Sequence, residues 1–116
     1  MSKRNVELYI EDILNSIEKI EKYTKHTTFE KFSIDEKTID AVIRNLEVIG
    51  EAAKNIPKKT FAKYKDIPWK KIIGMRNKVI HEYFGVDTEI LWKTVKEDLS
   101  KLKGEIQSLN QENKNK

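Results

Sequence analysis

The chain of 116 residues contains no cysteine and only two histidines, two prolines and four glycines. Without cysteine the protein can form no disulfide and offers no thiolate to a metal. His26 and His81 are too few and too far apart in sequence for a typical zinc site. No apolar run approaches the length of about 20 residues that a membrane-spanning helix needs, and the N-terminus lacks the apolar core of a secretory signal. We therefore expect a cytoplasmic protein with no membrane span, no metal and no cofactor.

Positive charge is concentrated in one part of the chain, although the net charge is only +4. Residues 54–78 contain nine Lys or Arg against one acidic residue, a net charge of +8, whereas residues 1–53 and 79–116 have net charges of −3 and −1. The basic residues are Lys54, Lys58, Lys59, Lys63, Lys65, Lys70, Lys71, Arg76 and Lys78. Such a segment is typical of a surface that attracts a polyanion. It can equally be a solvated, lysine-rich face.

Apolar residues recur at helical spacing along almost the whole chain, which indicates an all-α protein. The first stripe predicts a helix of about 20 residues, and it consists of Val6, Ile10, Ile13, Ile17 and Ile20. A second stripe runs from Ile39 to Ile56 and ends at Pro57, which a helix interior does not tolerate. The last stripe consists of Leu91, Val95, Leu99, Leu102, Ile106 and Leu109.

Polar residues mark where these helices begin. Thr27 with Glu30 and Ser33 with Glu36 have the spacing of capping boxes, and Asp87 is a suitable N-cap for the last helix. Pro68 fits the first turn of a helix that continues through Ile80, and residues 58–65 form a short, weak helix. The pattern predicts one domain over residues 1–109, an antiparallel bundle of four main helices plus a short helix, without strands. Residues 110–116 form a polar tail that should fray.

Arg76, His81 and Tyr83 lie within eight positions of one another. Arginine presents a planar charge to phosphate oxygens, histidine exchanges a proton near neutral pH, and tyrosine can donate, accept or be modified. These groups could serve phosphodiester chemistry without a metal. An Arg and a His five positions apart also occur in purely structural helices, and the Tyr83 ring could simply be buried.

On one ideal helix Arg76 and His81 would point about 140° apart. Asn77 and His81, four positions apart, would share a face. Three arrangements could still unite Arg76 and His81: the helix loosens near His81, the Arg76 side chain curls round, or a second copy of the chain completes the site across a two-fold axis.

The sequence around this motif resembles the HEPN superfamily and, within it, the small HepT-like group. The resemblance rests on residues 41–53, on residues 67–77, and on residues 81–87 followed by 90–92. The Arg-x4-His-x-Tyr motif of the family is intact at Arg76, His81 and Tyr83. With the amphipathic first helix, these blocks cover nearly the whole chain in the order found in the family.

The resemblance implies a HEPN-like helical homodimer with a composite cleft and a metal-independent endoribonuclease activity. His81 would act as general acid or base, Arg76 would neutralise charge on the phosphorane, and Asn77 would hold His81 or a phosphate oxygen. Attack by the RNA 2′-hydroxyl would leave a 2′,3′-cyclic phosphate and a free 5′-hydroxyl. Lys70, Lys71 and Lys78 are candidates for RNA binding.

In HepT-like toxins the tyrosine of the motif is modified by a partner, which implies the same for Tyr83. That partner is a minimal nucleotidyltransferase that serves as the antitoxin and transfers AMP to the tyrosine. The added bulk and negative charge would repel RNA from the cleft. The alternatives to a toxin are a non-catalytic helical dimer that binds a nucleotidyltransferase or a nucleotide, and an inactive structural bundle.

Further residues of the second helix have two possible roles. Arg44, Glu47 and Glu51 lie at spacings of three and four, so they can interact along one face of the helix. For Glu47 we expect an ordinary surface ladder, whereas Arg44 and Glu51 could orient the helix that carries Arg76. Gly50 inside the same helix predicts close approach of another helix. Tyr9 is expected to be a packing residue.

Overall fold

The computed structural model describes the backbone of residues 6–81 and 85–114 and the side chains of residues 6–80 and 85–109. The elements, in chain order, are α1 (Val6–Thr24), α2 (Phe29–Phe32), α3 (Glu36–Lys54), α4 (Lys58–Lys63), α5 (Trp69–Ile73), α6 (Met75–Val79), β1 (Ile80–His81), β2 (Gly85–Val86), α7 (Thr88–Lys93), a π-helical turn (Thr94–Asp98) and α8 (Leu99–Lys114). The all-α class is confirmed. Within the described residues, no helix combines the length and the apolar character needed to cross a bilayer.

The predicted apolar stripes form the core. Ile10, Ile13, Ile17 and Ile20 of α1 are fully buried, and the whole stripe from Leu91 to Leu109 is buried. α1 packs along α3 and α8, and α3 also packs against α5 and α6. The core therefore lies between α1, α3, the α5–α6 segment and the long helical stretch that includes α7, the π-helical turn and α8.

The first two helix starts after α1 differ from the sequence expectation. Thr28, not Thr27, caps α2 by accepting a hydrogen bond from the Lys31 backbone N–H at 3.2 Å. Asp35, not Ser33, caps α3, because its carboxylate accepts bonds from both the backbone N–H and the hydroxyl of Thr38. These bonds hold the pKa of Asp35 below its ordinary value of 3.8. The Ser33 hydroxyl donates instead to the Glu30 carbonyl.

The predicted N-cap at Asp87 is confirmed at the start of α7, and the helical stretch that follows extends further than expected. Asp87 Oδ1 accepts a hydrogen bond from the Ile90 backbone N–H at 3.0 Å. The backbone of α8 is helical through Lys114, although the sequence suggests fraying from residue 110. Glutamine, glutamate and lysine in this stretch have good helix propensity, which offsets the lack of apolar residues. The division into a domain and a tail stays a prediction.

Polar contacts join α1 to the C-terminal helical stretch. The Lys96 ammonium donates to the Thr24 carbonyl at 3.0 Å and lies 4.7 Å from the Trp92 ring centroid. Lys103 donates to Glu21 Oε1 at 2.8 Å, and this bond raises the pKa of Lys103. Trp92 also packs against Phe32, with ring centroids 5.1 Å apart. Trp92 is therefore a packing residue.

The expectation of one helix from Pro68 through Ile80 is wrong. The helix is interrupted at Gly74, and α6 ends at Val79. Ile80 is extended, with φ −107° and ψ 121°, and pairs antiparallel with Val86, while His81 pairs with Gly85. Ile80 is β-branched, which favours extended backbone. Gly85 has φ 77°, a conformation that other residues rarely adopt. A short β-hairpin thus stands where no strand was predicted.

Candidate functional site

Arg76 and His81 lie on different elements. Arg76 belongs to the five-residue helix α6, whereas His81 is the second residue of β1. The ideal-helix argument therefore does not apply, because the helix ends at Val79, before His81. The expectation that Asn77 and His81 share a helix face is wrong for the same reason. Which of the three arrangements unites the Arg76 and His81 side chains stays a prediction. The His81 side chain and all of Tyr83 lie outside the described residues.

A cleft of about 660 Å³ lies between α1, α3 and the α5–α6 segment. Arg76 and Asn77 line it from α6. The opposite wall is formed by α3, including all three of the residues at helical spacing, and α1 contributes further residues. The polar residues that line the cleft are Tyr9, Asp12, Arg44, Glu47, Glu51, Lys54, Asn55, Arg76 and Asn77. Arg76 is thus brought together with α3 by packing, not by sequence proximity.

Glu47 holds the Arg76 side chain directly. Glu47 Oε1 accepts a hydrogen bond from Arg76 Nε at 3.0 Å, and the two side chains are 39% and 45% exposed, respectively. Asn77 Oδ1 accepts a second bond, from Arg76 Nη1, at 3.3 Å. Asn77 therefore contacts the arginine of the motif. Its expected bond to His81 or to a phosphate oxygen stays a prediction.

The expectation that Glu47 is an ordinary surface residue is wrong. Spacing along one helix reports only contacts within that helix, and the partner of Glu47 lies 29 residues further along the chain. Glu51 lines the same cleft but forms no side-chain bond to Arg76. The three-and-four spacing of Arg44, Glu47 and Glu51 was the signal available in the sequence, and it identified the correct face of α3 without identifying the residue that makes the contact.

Gly50 explains how α3 and α5 come so close. A Cβ atom added to Gly50 would lie 3.1 Å from the Ile73 carbonyl oxygen. That separation is shorter than an ordinary van der Waals contact of about 3.5 Å or more. Gly50 is one helical turn from Glu47, and Ile73 precedes the helix that carries Arg76. The predicted close approach at Gly50 thus stands beside the Glu47–Arg76 contact.

The basic segment is divided between two surfaces. Lys54 and Arg76 line the cleft, whereas Lys71 and Lys78 line a separate groove of about 200 Å³ beside α8. In that groove Lys78 Nζ lies 3.8 Å from Asp98 Oδ2. Lys70 is exposed. The three candidate RNA-binding lysines are therefore not part of the cleft wall that contains Arg76.

Both surfaces contain acids as well as bases. Asp12, Glu47 and Glu51 line the cleft together with Arg44, Lys54 and Arg76. Asp66, Asp98 and Glu105 line the groove together with Lys71, Lys78 and Lys101. The described walls of the cleft are thus balanced in charge, and recognition of an anion there depends on how individual cations are oriented. Within the described part of the chain, no three His, Cys, Asp or Glu side chains are grouped to hold a metal ion.

Comparison with known proteins agrees with the motif. A family model described as "Ribonuclease HepT-like" matches residues 13–109. The chain belongs to the HepT-like ribonuclease family. The resemblance drawn from Arg76, His81 and Tyr83 is confirmed at the level of the family. No solved structure matches the chain significantly.

Three relatives show how far the similarity extends. A protein of Thermococcus cleftensis named "Probable ribonuclease HepT" is 52% identical over 107 residues, which cover 92% of this chain and 97% of the relative. A protein of Methanocaldococcus jannaschii, whose name joins a gamma-glutamylcyclotransferase to a candidate RNase, is 47% identical over 115 residues, 98% of this chain but only 52% of the relative. A candidate RNase of Caldanaerobacter subterraneus is 42% identical over 106 residues, 91% of this chain and 95% of the relative.

Proposed function

We propose that the protein is a metal-independent endoribonuclease and the toxin of a toxin–antitoxin pair. Family membership and the ribonuclease names of its relatives support RNA as the substrate. The observation that carries the proposal is the placement of Arg76, a half-exposed guanidinium at the edge of a cleft, five positions before His81. An arginine at such a place can bind a phosphate in the ground state and stabilise the negative charge that develops in the transition state.

The reaction begins with attack of a ribose 2′-oxygen on the adjacent phosphorus. A general base removes the 2′-hydroxyl proton, the bond from phosphorus to the 5′-oxygen breaks, and a general acid protonates that oxygen. The products are a 2′,3′-cyclic phosphate and a free 5′-hydroxyl. His81 supplies acid or base chemistry because its reference pKa of about 6.5 suits both. Arg76 stabilises the negative charge that grows on the phosphorane.

The second copy of a homodimer completes the site in this proposal. A two-fold axis beside the cleft would place two motifs together, so that acid and base could come from different protomers. Asn77 has a supporting role because it bonds to Arg76. Lys70, Lys71 and Lys78 remain candidates for contacts to RNA outside the cleft.

Control of the toxin is assigned to Tyr83. A cognate minimal nucleotidyltransferase would transfer AMP to the Tyr83 hydroxyl and release pyrophosphate from ATP. The new phosphodiester places a negative charge two residues after His81, where it repels RNA. Purified protein incubated with such a partner and ATP should gain the mass of AMP, and Tyr83→Phe should not. Tyr23→Phe, at an exposed tyrosine outside the motif, is the control that should still be modified.

RNA cleavage in excess EDTA tests the catalytic proposal. The wild type should release fragments that end in cyclic phosphate, and His81→Ala should release none while its circular dichroism spectrum is unchanged. His26→Ala is a matched control, because His26 is exposed and lies outside the motif. Equal cleavage by His81→Ala and wild type would rule out this mechanism. A wild-type dimer that binds the nucleotidyltransferase but cleaves no RNA would favour the non-catalytic binding module.

A further inference from the structure

The Arg76 guanidinium is held from two sides by different elements. Glu47 on α3 accepts from Nε, and Asn77 on α6 accepts from Nη1. A guanidinium is planar, with five N–H groups in a fixed arrangement. Two bonds from two of its nitrogens therefore restrict both the position and the rotation of the plane. Three N–H groups remain, one on Nη1 and two on Nη2, and they form no hydrogen bond to the described residues.

The way in which Glu47 binds Arg76 indicates that Glu47 supports the guanidinium and does not block it. A carboxylate that blocked Arg76 would take both N–H groups of one edge in a bidentate pair. Glu47 forms a single hydrogen bond, at Nε, and leaves both N–H groups of Nη2 free to donate to a phosphate. The Arg76 side chain is 45% exposed, so a phosphate can reach it.

The helix that carries Arg76 offers little support of its own. α6 has five residues and is bounded by Gly74 and by the extended residue Ile80. Glu47, by contrast, lies in the 19-residue helix α3, between the fully buried Leu46 and Ile49. A contact to α3 therefore fixes Arg76 relative to the packed core.

We infer that Glu47 is a positioning residue for Arg76, holding the guanidinium so that its remaining N–H groups are presented to the scissile phosphate of RNA. The inference rests on the proposed ribonuclease function and deepens it. A misplacement of about 1 Å at a catalytic group can cost roughly 100-fold in rate. Glu47 therefore acts on kcat through Arg76 and does not itself touch the substrate.

Single-turnover and steady-state RNA cleavage by Glu47 variants test this role. Glu47→Ala removes the acceptor, and its kcat should fall by roughly tenfold or more, with a smaller change in KM, because Arg76 binds the phosphorane more strongly than the ground state. Glu47→Gln keeps a carbonyl oxygen at the same reach, and it should retain most of the wild-type kcat. Asp40→Ala, an exposed acid on α3 outside the cleft, is the control for loss of one charge from the helix.

Glu51→Ala separates the effect of the Glu47–Arg76 hydrogen bond from the effect of negative charge in the cleft. Glu51 lines the same cleft and carries the same charge, but it makes no bond to Arg76. Its kcat should fall less than that of Glu47→Ala. An equal fall in both variants would assign the effect to the charge of the cleft and overturn the positioning role. Wild-type kcat in Glu47→Ala would overturn it as well.

Nuclear magnetic resonance of the arginine Nε–H groups provides a readout that does not need cleavage. The chain has only three arginines, Arg4, Arg44 and Arg76. The Nε–H signal that disappears in Arg76→Lys is therefore the signal of Arg76. Exchange of the Arg76 Nε proton with water should be slow in the wild type and Glu47→Gln and fast in Glu47→Ala. Fast exchange in the wild type would overturn the inference. Slow exchange in a wild type that cleaves no RNA would instead reject the proposed function and leave Glu47 as a structural contact only.

Discussion

Two Gly→Ala substitutions measure the approach of α3 to α5. Gly50 is buried in α3, where an added Cβ would lie 3.1 Å from the Ile73 carbonyl oxygen. Gly104 is exposed in α8, where an added Cβ would meet nothing within 4 Å. Both substitutions raise intrinsic helix propensity, by about 1 kcal/mol. Their difference in stability therefore isolates the cost of the contact between α3 and α5.

The close contact between α3 and α5 sets the expected difference in stability between the two variants. Gly104→Ala should stabilise the protein by up to about 1 kcal/mol. Overpacking typically costs about 1–3 kcal/mol, so Gly50→Ala should be less stable than Gly104→Ala by about that amount. For a domain of this size, 1 kcal/mol corresponds to a shift of roughly 4 °C in Tm, so the two variants should unfold about 4–12 °C apart.

Urea and thermal unfolding, followed by circular dichroism, give both free energies. If Gly50→Ala proves as stable as Gly104→Ala, the close approach of α3 and α5 is refuted, and with it the reason for a glycine at this position. The same variants test a link to function. Displacing α5 from α3 should also weaken the Glu47–Arg76 bond, so Gly50→Ala should speed exchange of the Arg76 Nε proton, and Gly104→Ala should leave it unchanged.

Two further predictions concern the N-caps of α7 and α3. Asp87→Ala should lower the free energy of unfolding by about 0.5–2 kcal/mol, because the Ile90 N–H loses its cap acceptor. Asp87→Asn keeps a side-chain oxygen and should lose much less. Equal losses for the two variants in urea unfolding would show that the cap bond does not matter. Asp35 has a lowered pKa in the folded state, so its stabilising contribution is present above 3.8 and is lost as the pH falls through the lowered value. The free energies of unfolding of the wild type and Asp35→Asn should therefore converge in acid. A difference between them that stays constant across pH would contradict this origin of the Asp35 pKa shift.

The sequence predicted the main helices because each buries a regular stripe. A helix such as α1 requires only that apolar side chains recur every three or four positions, and this repeat can be read directly from Ile10 to Ile20. The start of the last helix at Asp87 was also predictable, because N-capping is a local bond over three residues. The caps at Thr28 and Asp35 were misplaced because neighbouring Thr, Ser and Asp residues compete for the same role.

The segment from Gly74 to Asp87 shows where local rules fail. Its residues have helical spacing up to Ile80, yet the backbone turns into a β-hairpin after Val79. The extended form is held by pairing of Ile80 with Val86 and by a 2.7 Å hydrogen bond from the Asp87 N–H to the Val79 carbonyl. These bonds depend on residues further along the chain, which periodicity does not take into account.

The sequence by itself determined the all-α class, the family and the motif of Arg76, His81 and Tyr83, because amphipathic repeats and short motifs are properties of neighbouring residues. Only the tertiary structure decided that His81 leaves the helix of Arg76, that Lys71 and Lys78 lie away from the cleft, and that Glu47 holds Arg76. The contact between Glu47 and Arg76 joins residues 29 positions apart. It depends on how closely α3 and α5 pack at Gly50, a distance set by the whole core and not by any one segment.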